Sequence, residues 1–157
     1  MQRISRVSSA TIVAVLACIA GVMQMYGAGS ASAFVSRSLA LKEEAKLHLT
    51  SKTGFTLNEQ GVVVGTVKGT IYIHLRLTSN SSVVSEVNIY PPGGSLSGLG
   101  SASYHVDGGF AVFVGGLAVT RGTGSYAHAH GSDLRFTGTI QRRGDAVAVQ
   151  LSGLLTV

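Results

Sequence analysis

Cysteine is all but missing from this chain: the 157 residues contain one, Cys18, set in an apolar stretch near the N-terminus. A domain without cysteine cannot use disulfides, a thiol nucleophile or zinc held by thiolates, so its stability must come from an ordinary hydrophobic core. Charge is sparse as well. Asp, Glu, Lys and Arg make up 12% of the residues, which argues against long exposed helices, and 21 glycines argue for many turns. The acids number seven and are scattered, and no carboxylate pair suggests glycoside hydrolysis. Also missing are a Gly-x-Ser-x-Gly elbow with helical context, a His-Glu-x-x-His pair and a Walker sequence. Gly98-Leu99-Gly100 and Gly122-Thr123-Gly124 are not dinucleotide loops, because no helix N-terminus follows to receive phosphate. Nothing in the sequence calls for a cofactor.

What is present begins with an export signal. Met1 to Arg6 carries two positive charges and no acid, and Val7 to Met25 is apolar, with no charged residue before Arg37. Small residues follow from Gly27 to Ala33, ending in an Ala31-x-Ala33 site. This order predicts a signal peptide, residues 1–33, cleaved after Ala33, and a secreted or extracytoplasmic product. The densest apolar run, Thr11 to Ala20, is shorter than the about 20 residues of a spanning helix, so no stable membrane span is expected after cleavage. Lipidation of Cys18 is the alternative, but bulky Leu16 before Ala17 fits a lipoprotein site poorly.

Cleavage would leave 124 of the 157 residues, enough for one domain. It removes Cys18 together with Arg3 and Arg6, which lowers the formal charge of +5 by two. The remaining cations are scattered singly, apart from Arg142-Arg143. With no basic stripe and no interleaved aromatics, nucleic acid is not expected as a partner.

Residues 34–46 are rich in Leu, Ala, Glu and Lys, a composition that suggests an N-terminal arm or a short helix. From Leu47 the apolar period becomes two. Ile71, Ile73, Leu75 and Leu77 alternate with Tyr72, His74 and Arg76, the mark of a half-buried strand. Val83, Val87 and Ile89 repeat the pattern, as do Leu134, Phe136 and Ile140, then Val147, Val149, Leu151 and Leu155. Phe110 to Thr120 is apolar on both faces, which suits a central strand or a subunit contact. Turn signals recur about every ten residues, the strongest being Asp107-Gly108. Seven to nine short strands joined by tight turns form an antiparallel sandwich or barrel. Gly98, Gly100, Gly115, Gly116, Gly138 and Gly153 interrupt good strand sequence, and so many bends favour continuous curvature. The expected fold is therefore all-β: one antiparallel barrel of about eight strands, residues 47–157, after the cleaved signal peptide.

One segment carries a resemblance. Gly122-Thr123-Gly124, Tyr126, Ala129, Gly131 and Phe136-Thr137-Gly138-Thr139 fall in register with a glycine-rich strand-turn-strand element. That element is similar to one in the allene oxide cyclase and dirigent superfamily, in the style of its bacterial exported relatives. Arg121 stands where a glycine is usual. The resemblance runs roughly from Gly61 to Val157. It implies an eight-stranded barrel with a central apolar cavity, commonly a homodimer or homotrimer. The polar cluster of the plant cyclases and the acids, arginine and tyrosine of the dirigent proteins find no residue-by-residue match, so no activity is carried over.

Candidate residues follow from the faces. Tyr72, His74 and Arg76 share one strand face, Asp133 and Arg135 share another, and Tyr104 and Tyr126 have the apolar body and polar tip that suit a cavity mouth. If those faces line the barrel they form a polar ligand-binding set; if they face water they are ordinary solvated strand surface. His128 and His130 point to one side of a strand but lack a defined third ligand, and no metal is assigned. The first functional expectation is a secreted barrel that binds a small hydrophobic or phenolic molecule. A cyclase, isomerase or dirigent-like enzyme that steers a reactive intermediate is the second. A structural or surface-interaction protein with a filled barrel is the third. Whether the protein is an enzyme is left open at this stage.

Overall fold

A computed structural model of the protein describes residues 36–157. The leader, the Ala33 cleavage site and Cys18 lie outside the described residues. Alternation of apolar and polar side chains shapes everything that follows. Eight strands occur in chain order: β1 (Ser38–Thr53), β2 (Thr56–Gly65), β3 (Gly69–Leu77), β4 (Ser82–Tyr90), β5 (Gly94–Asp107), β6 (Phe110–Gly124), β7 (Gly131–Gln141) and β8 (Ala146–Thr156). Each pairs antiparallel with the next, and β8 returns to pair with β1, so the sheet closes as a barrel. The expected all-β barrel is thus the fold observed.

The start of the barrel is a correction. Residues 38–46, expected as part of an arm or short helix, belong to β1, which pairs with β8 from Ser38↔Thr156 onward. Leu39, Leu41, Ala45 and Leu47 turn inward while Lys42, Glu44 and Lys46 turn to water. Helix-forming composition is a weak preference, and ladder pairing on both sides overrides it. An acid, Glu43, occupies one inward position and hides the period of two.

The inward faces meet in one apolar core. Leu134, Leu155 and Val63 are fully buried, each stabilising the fold by roughly 1.5–3 kcal/mol relative to exposure. Two glycine positions show why the barrel needs them. Gly108 takes φ 55° in the two-residue turn between Asp107 and Phe110, the positive φ that tight hairpins require. Gly138 lies beneath the Phe113 ring, where a Cβ would collide with the ring and with the Ala148 carbonyl.

Bulges adjust the register. Between Leu49 and Ser51 the β1–β2 ladder slips, leaving Thr50 as the extra residue. Leu49 opposes Glu59, and beyond the bulge Lys52 opposes Leu57. The slip changes the parity of β1, so Lys52 reaches the barrel opening beside the inward Leu57.

Candidate functional site at the barrel opening

The two ends of the barrel differ. At one end Val67, in the β2–β3 turn, and Ala129, in the β6–β7 turn, are buried as plugs, and the half-buried Tyr126 packs on the same core. Glu43 fastens this end: the Val67 N–H donates to its Oε1 at 2.9 Å. Burial pushes the Glu43 carboxyl above the usual carboxylate range, and hydrogen bonds from the Val67, Lys42 and Thr66 backbone pull it back in part.

The other end is open. The β1–β2, β3–β4, β5–β6 and β7–β8 turns surround a mouth of about 510 Å³. Its walls include Leu57, Leu77, Tyr104 and Ala111, and Lys52, Arg142 and Asp145 add charge to the lining. Below the mouth an interior void of about 60 Å³ remains, lined almost wholly by apolar side chains. Leu75, Val83, Phe113 and Ile140 line both spaces and so form the floor of one and the roof of the other.

Glu59 lines that inner void. It is 3% exposed, and its Oε1 has no hydrogen-bond partner among the described residues. Desolvation, with the negative charge of Asp145 second, pushes its carboxyl up to about 7. A group poised there can hold a proton at neutral pH and also release it, the property expected of a functional carboxyl. Glu43 lines the same void from the side of the plugged end; it opposes Gly65, whereas Glu59 opposes Leu49. Six strand residues separate those positions, so their backbones are roughly 20 Å apart along the strand.

Of the seven residues singled out from the sequence, the structure brings one to the mouth, Tyr104, whose hydroxyl points to the Ser79 carbonyl at 3.5 Å. Tyr72, His74 and Arg76 lie on the outer face of β3 and are exposed. Tyr72 meets Tyr90 edge-on with ring centroids 5.7 Å apart, and His74 Nδ1 is hydrogen-bonded to the Asn58 amide oxygen. Asp133 and Arg135 are exposed on the outer face of β7. Tyr126 belongs to the plugged end. His128 and His130 are exposed, and among the described residues no group of three or more His, Cys, Asp or Glu could hold a metal ion.

Sequence reasoning passed over Glu59 and Glu43. The signal was available: each is an acid standing in an inward apolar register, Glu59 two residues from Leu57 and Glu43 between Leu41 and Ala45. No family model, curated protein or solved structure matches the chain.

Proposed function

We propose that the barrel works outside the cell and binds a small apolar or aromatic molecule at its open end. The mouth carries this reading. Its volume of about 510 Å³ lies within the range of small-molecule sites, and its walls are apolar with a few charged or polar groups at the edge. The inner void of about 60 Å³ is too small for such a ligand and has room for about two waters. The ligand therefore sits in the mouth, and it goes deeper only if the floor side chains move.

The arrangement of polarity supports a barrel surrounded by water. Leu, Val, Ile and Phe fill the inside, while Lys42, Glu44, Lys46, Arg76, Glu86 and Arg135 stand exposed on the outside. Lipid-embedded barrels place their apolar band outward instead.

A second reading is favoured by one observation. Glu59 beneath the mouth could serve an enzyme that steers a reactive intermediate, since its proton is exchangeable near neutral pH. Tyr72, His74, Arg76, Asp133 and Arg135 cannot share that task from the outer face.

A thermal-shift screen with lipid, terpenoid and phenolic compounds tests the binding reading. Ala111 lines the mouth but not the inner void, so Ala111→Trp should fill the site and leave the core intact. A compound that stabilises the protein should lose its effect in A111W. Failure of every compound to stabilise the protein would overturn the reading.

A further inference from the structure

A carboxyl group buried without a hydrogen-bond partner is costly to the fold, and such a group in a native structure calls for an explanation. Glu59 is 97% removed from solvent, its Oε1 has no partner among the described residues, and it lines the void directly under the mouth. Glu43 also lines the void and its Oε2 likewise has no partner among the described residues, but its Oε1 is already bonded to the Val67 N–H at the plugged end. The void is otherwise apolar apart from Ser85.

We propose that Glu59 is the polar anchor for a neutral apolar alcohol, whose hydroxyl enters head-first through the mouth and donates to Glu59 Oε1. This inference rests on the reading of the mouth as a ligand site. Two observations select the head group. As a carboxylate Glu59 can only accept, and its Oε1 lacks a donor, so the ligand must bring a hydrogen. A charged head, ammonium or carboxylate, would have to shed its water in a void that is mostly apolar, which costs far more than for a hydroxyl. The head passes the floor by displacing Leu75, Val83, Phe113 and Ile140, the four side chains that join mouth and void, and the tail then lies against them.

Calorimetric titration at pH 9, where Glu59 is ionised and can only accept, tests this with four eight-carbon compounds: 1-octanol, 1-methoxyoctane, octylammonium and octanoate. The ether can accept a hydrogen bond but cannot donate one. The wild-type protein should bind 1-octanol roughly tenfold or more tightly than the ether, because a buried polar site rejects a ligand that leaves it unpaired. Glu59→Gln adds a donor that can serve the ether and should narrow the preference, and Glu59→Leu should abolish it. If E59L fails to fold, the wild-type comparison and E59Q still decide the matter. Equal affinity for alcohol and ether, a preference that survives in E59L, or tighter binding of either charged compound would overturn the alcohol assignment and leave the mouth as a binding site. Binding of none of the four, together with an empty thermal-shift screen, would overturn the mouth reading itself.

Discussion

Burial first, and the negative charge of Asp145 second, keep the Glu59 carboxyl protonated up to about pH 7. Asp145 does so from the β7–β8 turn, where it takes φ 52° and caps an i to i+4 hydrogen bond to the Gln141 carbonyl at 2.9 Å. A surface turn thus influences a proton inside the barrel.

Stability should fall as pH rises through the range between the two Glu59 values. The ordinary value is 4.5 and the folded value about 7, so within that window the native state binds more protons than the unfolded chain. The stability associated with Glu59 is intact below about 4.5, is lost progressively towards 7, and changes little beyond. The span corresponds to about 3 kcal/mol. Denaturant titrations of wild type and Glu59→Gln at several pH values would check this. The difference between the two should grow in favour of E59Q across the window and then level off. A difference independent of pH would show that Glu59 titrates normally.

Asp145→Asn should lower the Glu59 value without restoring it to the ordinary range, because burial is the larger cause. Asparagine tolerates the left-handed backbone that Asp145 adopts, so the turn should survive. Carbon-detected NMR titration of the Glu59 carboxyl reads the shift directly. An unchanged midpoint would mean that the two charges do not communicate.

Two glycines should respond in opposite ways to alanine. Gly138→Ala places a methyl against the Phe113 ring and a backbone carbonyl, and should destabilise the barrel by about 1–3 kcal/mol through overpacking. Gly109→Ala meets nothing within 4 Å and should change the guanidinium midpoint very little. Comparable losses at both positions would contradict the tight contact at Gly138.

Leu155 is 0% exposed and pairs with Leu39 on the seam where β8 meets β1. Leu155→Ala should cost roughly 2–5 kcal/mol, the range for deleting a fully buried leucine side chain. Amide hydrogen exchange should show faster exchange along β1 and β8 in the same variant. Exchange unchanged there would place the seam outside the stability-limiting unit.

The proposed export makes a prediction that needs no structure. Cleavage after Ala33 should yield a mature N-terminus at Phe34 and a product without cysteine. Intact-mass spectrometry of the protein recovered outside the cytoplasm would read this, and a lipid mass on Cys18 would overturn it.

The barrel was legible in the chain because most strands keep a strict period of two. β3 is the clearest case, with Ile71, Ile73, Leu75 and Leu77 facing in and Tyr72, His74 and Arg76 facing out. β1 was not legible as a strand over 38–46, because its composition favours a helix and Glu43 breaks the apolar register. The site was harder still. Its walls are contributed by strand ends and turns far apart in the chain, such as Lys52, Tyr104 and Arg142, and Lys52 reaches it only through the bulge at Thr50. Glu59 sits between Leu57 and Gly61, and a glycine on one side conceals that the acid belongs to an inward face. Alternation tells which residues share a side; it does not tell which end of the barrel stays open.

The seam between β1 and β8 has a consequence for the order of events in the cell. Leu39 and Leu155 are neighbours in the ring but belong to the first and last strands of the barrel. Until the final strand is delivered, β1 has an exposed edge and the core is open to water. Pairings between residues so distant in sequence form late, because loop closure must come before any contact rewards it. A chain with this topology stays unlocked while it is being made, and under the proposed export that leaves a thread able to pass through a narrow channel before it is tied.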